Sequence, residues 1–163
     1  MSKSQGIKKL HPIRPLSNGF SLTDSLLRDI PNNYLSASQI LLVEDNRINV
    51  MATQLLLARF GYKNTTTAVT GAEALALFSP KFDLVILDIG LPDISGTEVC
   101  QKMRELLGGK TLPIIACTAF GISVRENCLE AGMDDCLIKP LEKNKFRETM
   151  EHWLNAAKKY KKF

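Results

Sequence analysis

The sequence predicts an α/β fold: a doubly wound, five-stranded parallel sheet in the order 2-1-3-4-5, with helices on both faces. Three observations carry this. Short all-apolar runs stand at Ile40-Leu41-Leu42-Val43, Leu84-Val85-Ile86-Leu87 and Ile114-Ile115-Ala116-Cys117, as strands buried on both faces require. Segments of helical character follow them. Strand and helix then alternate through the rest of the chain, which implies right-handed crossovers between parallel neighbours.

The first strand, from Gln39, is followed by Glu44-Asp45-Asn46. Apolar residues at Ile48, Met51, Leu55, Leu56 and Phe60 then predict the buried face of a helix ended by Gly61. Asn64 to Val69 is Thr-rich and reads as a more polar edge strand. Thr70-Gly71-Ala72-Glu73 is a capping box opening a helix through Phe78. After the second apolar run, Ser95-Gly96-Thr97-Glu98 opens a helix to about Leu107, before Gly108-Gly109. Ser123-Val124-Arg125-Glu126 is a third capping box, whose helix ends at Gly132. Cys136-Leu137-Ile138 is the last strand. Leu141, Phe146, Met150, Trp153 and Leu154 mark a final amphipathic helix.

The 163 residues fit one domain with an appendage. Residues 1–37 read as an N-terminal extension or linker, with Pro12, Pro15 and Pro31 and one short helix carrying Leu22, Leu26 and Leu27. Residues 38–157 form the folded domain, and 158–163 a basic tail. The formal net charge of +4 is unevenly placed. Residues 39–157 hold 12 Lys/Arg against 15 Asp/Glu, a net of −3, so the basicity sits at the two ends. That argues against nucleic-acid binding by the domain. No apolar run approaches the roughly 18 residues a membrane span needs, and the first residues lack the apolar core of a secretory signal. Four cysteines without a C-x-x-C pair read as reduced thiols, which points to a cytoplasmic setting.

Four of the five strands end in chemically loaded residues: Glu44-Asp45, Asp88, Thr118 and Lys139-Pro140. In a doubly wound sheet the carboxyl ends of the strands share one edge, and sites form in the crevice there. The 2-1-3-4-5 order makes strands 1 and 3 neighbours, so Glu44, Asp45 and Asp88 meet, and Thr118 and Lys139 face the same crevice. Two like charges about 4 Å apart cost about 4 kcal/mol at an effective dielectric of about 20. Such a cluster calls for a cation or for protons. Oxygen ligands with open positions favour Mg²⁺, with Mn²⁺ second. A divalent ion, a lysine and a hydroxyl around a carboxylate form equipment for phosphoryl transfer, with the carboxylate as nucleophile. Each residue alone has a plainer reading: Asp45 as a helix cap, Asp88 as a turn residue, Thr118 as a loop hydroxyl. Their joint placement favours a site.

These residues resemble the receiver domain of two-component response regulators, a flavodoxin-like fold. The match covers about residues 38–157. It rests on Ile40 to Asn46, on Leu87-Asp88-Ile89-Gly90-Leu91-Pro92-Asp93-Ile94-Ser95-Gly96, on Pro113 to Ala119, and on Ala131-Gly132-Met133-Asp134-Asp135 leading to Lys139-Pro140-Leu141. The resemblance implies Asp88 as phosphoacceptor. It implies Glu44, Asp45, Asp88 and the backbone carbonyl of Gly90 as Mg²⁺ ligands, Thr118 as a switch hydroxyl, and Lys139 as the partner of a phosphoryl oxygen. It further implies a histidine kinase or histidine phosphotransfer domain as donor, and a protein that catalyses its own phosphorylation and dephosphorylation as a monomer or weak dimer. Glu44 to Asn49 and Ala131 to Asp135 look most like receivers of hybrid sensor histidine kinases, which usually follow a kinase domain through a linker. The resemblance is compatible with a membrane-anchored parent of that kind, although this segment carries no recognisable kinase motif and no output domain.

One position departs from the pattern. Receivers usually carry Tyr or Phe three residues before the lysine, and here that residue is Cys136. It reads as a small buried side chain, with Cys117 on the neighbouring strand as the thiol a redox role would use. Phe120 is placed near the mouth of the site, where it limits water access. Competing classes are a flavin-binding domain, disfavoured by two acidic residues where phosphate-binding backbone donors would stand, and an aspartyl hydrolase, disfavoured because Asp88-Ile89-Gly90 lacks a second aspartate. A degenerate receiver serving as a docking module is the alternative within the family.

Overall fold

All five strands expected from the sequence form one parallel sheet, in the order β2-β1-β3-β4-β5. The computed structural model describes residues 37–121 and 123–161; the short helix expected around Leu22 to Leu27 lies outside them. The strands are β1 (Gln39–Val43), β2 (Asn64–Ala68), β3 (Leu84–Asp88), β4 (Ile114–Thr118) and β5 (Asp135–Ile138). The helices are α1 (Arg47–Arg59), α2 (Gly71–Leu77), α3 (Gly96–Glu105), α4 (Ser123–Glu130) and α5 (Lys143–Lys161). Among the described residues no helix is long and apolar enough to cross a membrane.

Strand alternation divides the interior into two layers. Leu41, Val43, Val85, Leu87, Ile114, Ala116 and Cys136 pack with residues of α2, α3 and α4. Ile40, Leu42, Leu84, Ile86, Ile115, Cys117 and Leu137 pack with residues of α1 and α5. β3 and β4 are buried at every position, the consequence of helices on both sides of central parallel strands.

The caps are formed largely as their residue types dictate. Asn46, rather than Asp45, caps α1: its side chain accepts from the N–H groups of Ile48 and Asn49. Thr70 Oγ1 accepts from Glu73 N and Ser95 Oγ from Glu98 N. Glu73 Oε2 reaches back to Val69 N at 2.7 Å, one residue earlier than a capping box requires. Ser123 is the first residue of α4 rather than its cap. Gly61, at φ +86°, stops α1, with its N–H bonded to Ala58 O and that of Tyr62 to Leu57 O. α3 ends at Glu105, short of Leu107. α5 continues through Lys161, so Lys158 to Lys161, set apart by composition as part of a basic tail, form its last turn, and Lys161 pairs with Asp83.

The buried face of α1 differs from expectation. Ile48, Met51 and Leu55 are 76%, 56% and 70% exposed. Thr53 and Leu57 are buried instead, with Val50, Leu56 and Phe60 packed at the edge of the core. The sequence offers two apolar stripes around Leu55-Leu56-Leu57. Packing against α5, where the Phe60 and Phe146 rings stack at 6.4 Å, selects the second.

Candidate functional site

Strand register builds the site. β1 and β3 pair with Val43 opposite Leu87, so the next residue on each, Glu44 and Asp88, emerge side by side at the carboxyl edge. Glu44 N is still tied to the sheet through Ala68 O at 3.0 Å. On the other flank Thr118 pairs with Ile138, and Lys139 N donates to Thr118 O at 2.8 Å. From there the Lys139 side chain reaches across the ends of β4 and β3. Its Nζ donates to Asp88 Oδ2 at 3.0 Å and also to Glu44 Oε2. The Lys139–Pro140 peptide bond is cis.

These groups are withdrawn from solvent: Glu44 is 3% and Asp88 9% exposed. The other carboxylate oxygen of Glu44 accepts from Asn46 N at 3.0 Å and Asn49 Nδ2 at 3.3 Å. Asp88 Oδ1 accepts from Gly90 N at 3.1 Å. Burial opposes the charge on Lys139, but the hydrogen bonds and negative charge of Glu44 and Asp88 outweigh it and raise its pKa above the ordinary lysine value.

Asp45 completes the acidic group. One oxygen each from Glu44, Asp45 and Asp88 lie within 4.8 Å of one another, and Asp45 is exposed. Three carboxylates and one ammonium give the cluster a net formal charge of −2, which a divalent cation would balance. The ligand atoms are all oxygen, and Asp45 is held by no described side chain, so the donor set fits a hard ion with open positions.

The response regulator receiver domain model matches residues 40–151. The chain belongs to that family. Similar proteins include the aerobic respiration control sensor protein ArcB of Escherichia coli K12, 39% identical over 66% of this chain and 14% of that protein. Sensor histidine kinase RcsC of the same organism is 34% identical over 74% of this chain and 12% of its own length. The chain thus spans about one-seventh or less of these relatives. Among solved structures, the receiver domain of sensor histidine kinase PA1611 from Pseudomonas aeruginosa PAO1 is 34% identical with a TM-score of 0.67, covering 73% of this chain and 99% of that one. That structure has a magnesium ion coordinated in its active-site cleft. A CheY-like receiver from Methanospirillum hungatei JF-1 is 29% identical with a TM-score of 0.66, covering 76% of this chain and 98% of that one.

The receiver brings Glu44, Asp45, Asp88 and Lys139 into one cluster, as the sequence led us to expect. Thr118 stands beside it. Its side chain is fully buried, and its Oγ1 accepts from Phe120 N at 3.0 Å rather than bonding Asp88 or Lys139. Strand alternation accounts for this, because Thr118 keeps the parity of Ile114 and Ala116 while Asp88 keeps that of Leu84 and Ile86. Phe120 is 59% exposed. Its ring lies over Gly90, with Cε2 3.8 Å from where a Cβ there would stand.

Cys136 is a small buried side chain, as expected, but Cys117 is not its partner. Cys117 packs on the α1/α5 side of the sheet and Cys136 on the other. Cys136 instead shares its core layer with Cys128 of α4. Two further groups were not singled out from sequence: Asn49, which holds Glu44, and Asp93, which holds α2. A signal for Asn49 existed, since it lies one helical turn beyond a residue that had to cap α1.

Proposed function

We propose that this receiver accepts a phosphoryl group from phosphohistidine onto Asp88 in a two-component phosphorelay. One observation carries the reading: Lys139 bridges the buried carboxylates of Glu44 and Asp88, while Asp45 stands beside them with no cationic partner among the described residues. A nucleophilic carboxylate with a fixed cation on one side and a metal-binding carboxylate on the other suits phosphoryl transfer, where positioning and charge stabilisation supply most of the catalysis.

An Asp88 oxygen attacks phosphorus in line, the new P–O bond forms, and the P–N bond to the donor imidazole breaks. Glu44, Asp45, Asp88 and the Gly90 carbonyl would hold Mg²⁺, or Mn²⁺ in its place. When bound, that ion supplies charge neutralisation for the incoming phosphoryl oxygens. Lys139 transfers part of its ammonium bonding to a phosphoryl oxygen. The Thr118 hydroxyl, whose oxygen accepts from Phe120 N before phosphorylation, turns to donate its proton to another phosphoryl oxygen, which shifts the Thr118–Gly121 segment and α4 toward the active population.

A protein donor must present its imidazole at the mouth beside the start of α1. The exposed Ile48, Met51 and Leu55 stripe on that helix offers such a donor an apolar contact. The donor we infer is a histidine kinase or histidine phosphotransfer domain. Residues 1–37 would act as a linker from a preceding hybrid-kinase region and 38–157 as the receiver, working on the cytoplasmic side as a monomer or weak dimer without nucleic-acid contact.

The test is the intact mass after incubation with Mg²⁺ and a small acyl phosphate. One added phosphoryl group on wild type, none on Asp88→Asn and none with EDTA is the expected result. No added group, with no response to beryllofluoride either, would favour the docking module.

A further inference from the structure

The segment between Asp88 and α3 is held at a point that the acidic cluster does not touch. Its two ends are closed by Gly96 N, which donates to Ile89 O at 2.9 Å. The approach there is so close that a Cβ on residue 96 would stand 2.1 Å from Asp88 O. The middle of the segment is fastened elsewhere. Asp93 Oδ1 accepts from Gly71 N and Oδ2 from Ala72 N, each at 2.8 Å. These are the first two N–H groups of α2, which that helix cannot satisfy internally. A second contact lies next to it: a Cβ on Gly71 would stand 2.5 Å from Ile94 Cγ1, so glycine is what allows loop and helix to meet. The two backbone hydrogen bonds also hold the Asp93 carboxyl down at about 2, which keeps it ionised at neutral pH.

Gly90 lies between these anchors. Its N–H is already committed to Asp88 Oδ1, so the direction of the following peptide depends on how firmly Leu91 to Asp93 is held. A glycine peptide with no side chain to pack gains little order by itself. Any order it lacks beforehand must be supplied when a ligand binds.

We propose that Asp93 is a positioning residue for the divalent-cation site: by clamping the β3–α3 segment to the start of α2, it fixes the direction of the Gly90 carbonyl. The inference rests on the reading of that carbonyl as a cation ligand. Asp93 touches neither cation nor substrate and acts through the loop, as an outer partner of a ligand does.

The experiment is a Mn²⁺ titration followed by electron paramagnetic resonance on the full chain, with thermal unfolding measured in parallel without metal. Wild type, Asp93→Ala, Asp93→Asn and a control, Asp83→Ala, are compared. Asp83 accepts from Gln39 N and Lys161 Nζ at the opposite edge of the sheet, so its loss lowers stability away from the site. Asp93→Ala is expected to weaken Mn²⁺ binding about tenfold, the scale typical of losing an outer partner of a metal ligand. Asp93→Asn, which keeps one acceptor oxygen, falls between it and wild type. Asp83→Ala melts earlier but binds Mn²⁺ as wild type does. Wild-type affinity in Asp93→Ala, or an equal loss in Asp83→Ala, overturns the proposal. Absence of Mn²⁺ binding by wild type overturns the cation site itself, a failure distinct from that of the clamp.

Discussion

Lys139 Nζ stands 3.0 Å from Asp88 Oδ2, although the two residues are 51 positions apart. The same ammonium is bonded to Glu44, so one cation holds together the ends of β1, β3 and β5. Lys139 is thus a structural counter-ion in the unphosphorylated chain and, on the proposed reading, a phosphoryl ligand afterwards. A residue with both duties is where stability and signalling meet.

Replacing Lys139 by Ala leaves two buried carboxylates beside one another without a counter-ion. Truncating one partner of a buried pair costs about 3 kcal/mol, and a loss of that order is expected in chemical denaturation. Millimolar Mg²⁺ should then raise the melting temperature of Lys139→Ala by more than it raises wild type, since the metal replaces the missing charge. The difference between phosphorylated and free forms, read by NMR or partner affinity, should shrink.

Met51→Asp tests the exposed stripe of α1. The side chain is 56% exposed, so the change in stability should stay within about 0.5 kcal/mol. Transfer from a phosphohistidine-bearing domain should fall by about tenfold, the effect of losing one significant interface contact of about 1.4 kcal/mol. Phosphorylation by a small acyl phosphate should be unchanged. A matched comparison of the two donors separates docking from chemistry.

Asp93 gives the fold an acid-sensitive contact. Its folded-state pKa of about 2 lies below the ordinary aspartate value. The contribution is therefore complete above an unfolded value of about 3.9 and is lost as pH falls toward 2. Denaturation curves taken from pH 5 down to 2 should fall less steeply for Asp93→Asn than for wild type. Equal slopes would count against this contact.

The thiols should be silent in the native protein. Burial pushes Cys117 up to about 12 and Cys100 and Cys136 up to about 11, and it raises Cys128 as well. At pH 8 almost no thiolate is available to react. A disulfide reagent should label the receiver only slowly when folded, and all four cysteines quickly in denaturant.

The sequence by itself determined the strands, their burial and the identity of the loaded ends. All-apolar runs of four residues cannot sit at a solvated position, and parallel topology places every strand end on one edge. Glu44, Asp45, Asp88 and Lys139 could therefore be gathered on paper. Only the tertiary structure decided which stripe of α1 faces inward, because Leu55, Leu56 and Leu57 satisfy helical spacing on either side and contact with α5 settles the rotation. It also decided that Thr118 turns toward Phe120, that Cys136 shares its core layer with Cys128 instead of Cys117, and that Asp93 caps a helix that precedes it by more than twenty residues. Periodicity records whether a side chain is buried. It does not record which neighbour the chain brings to meet it, since that depends on the handedness of the crossovers and the register of strands far apart in the sequence.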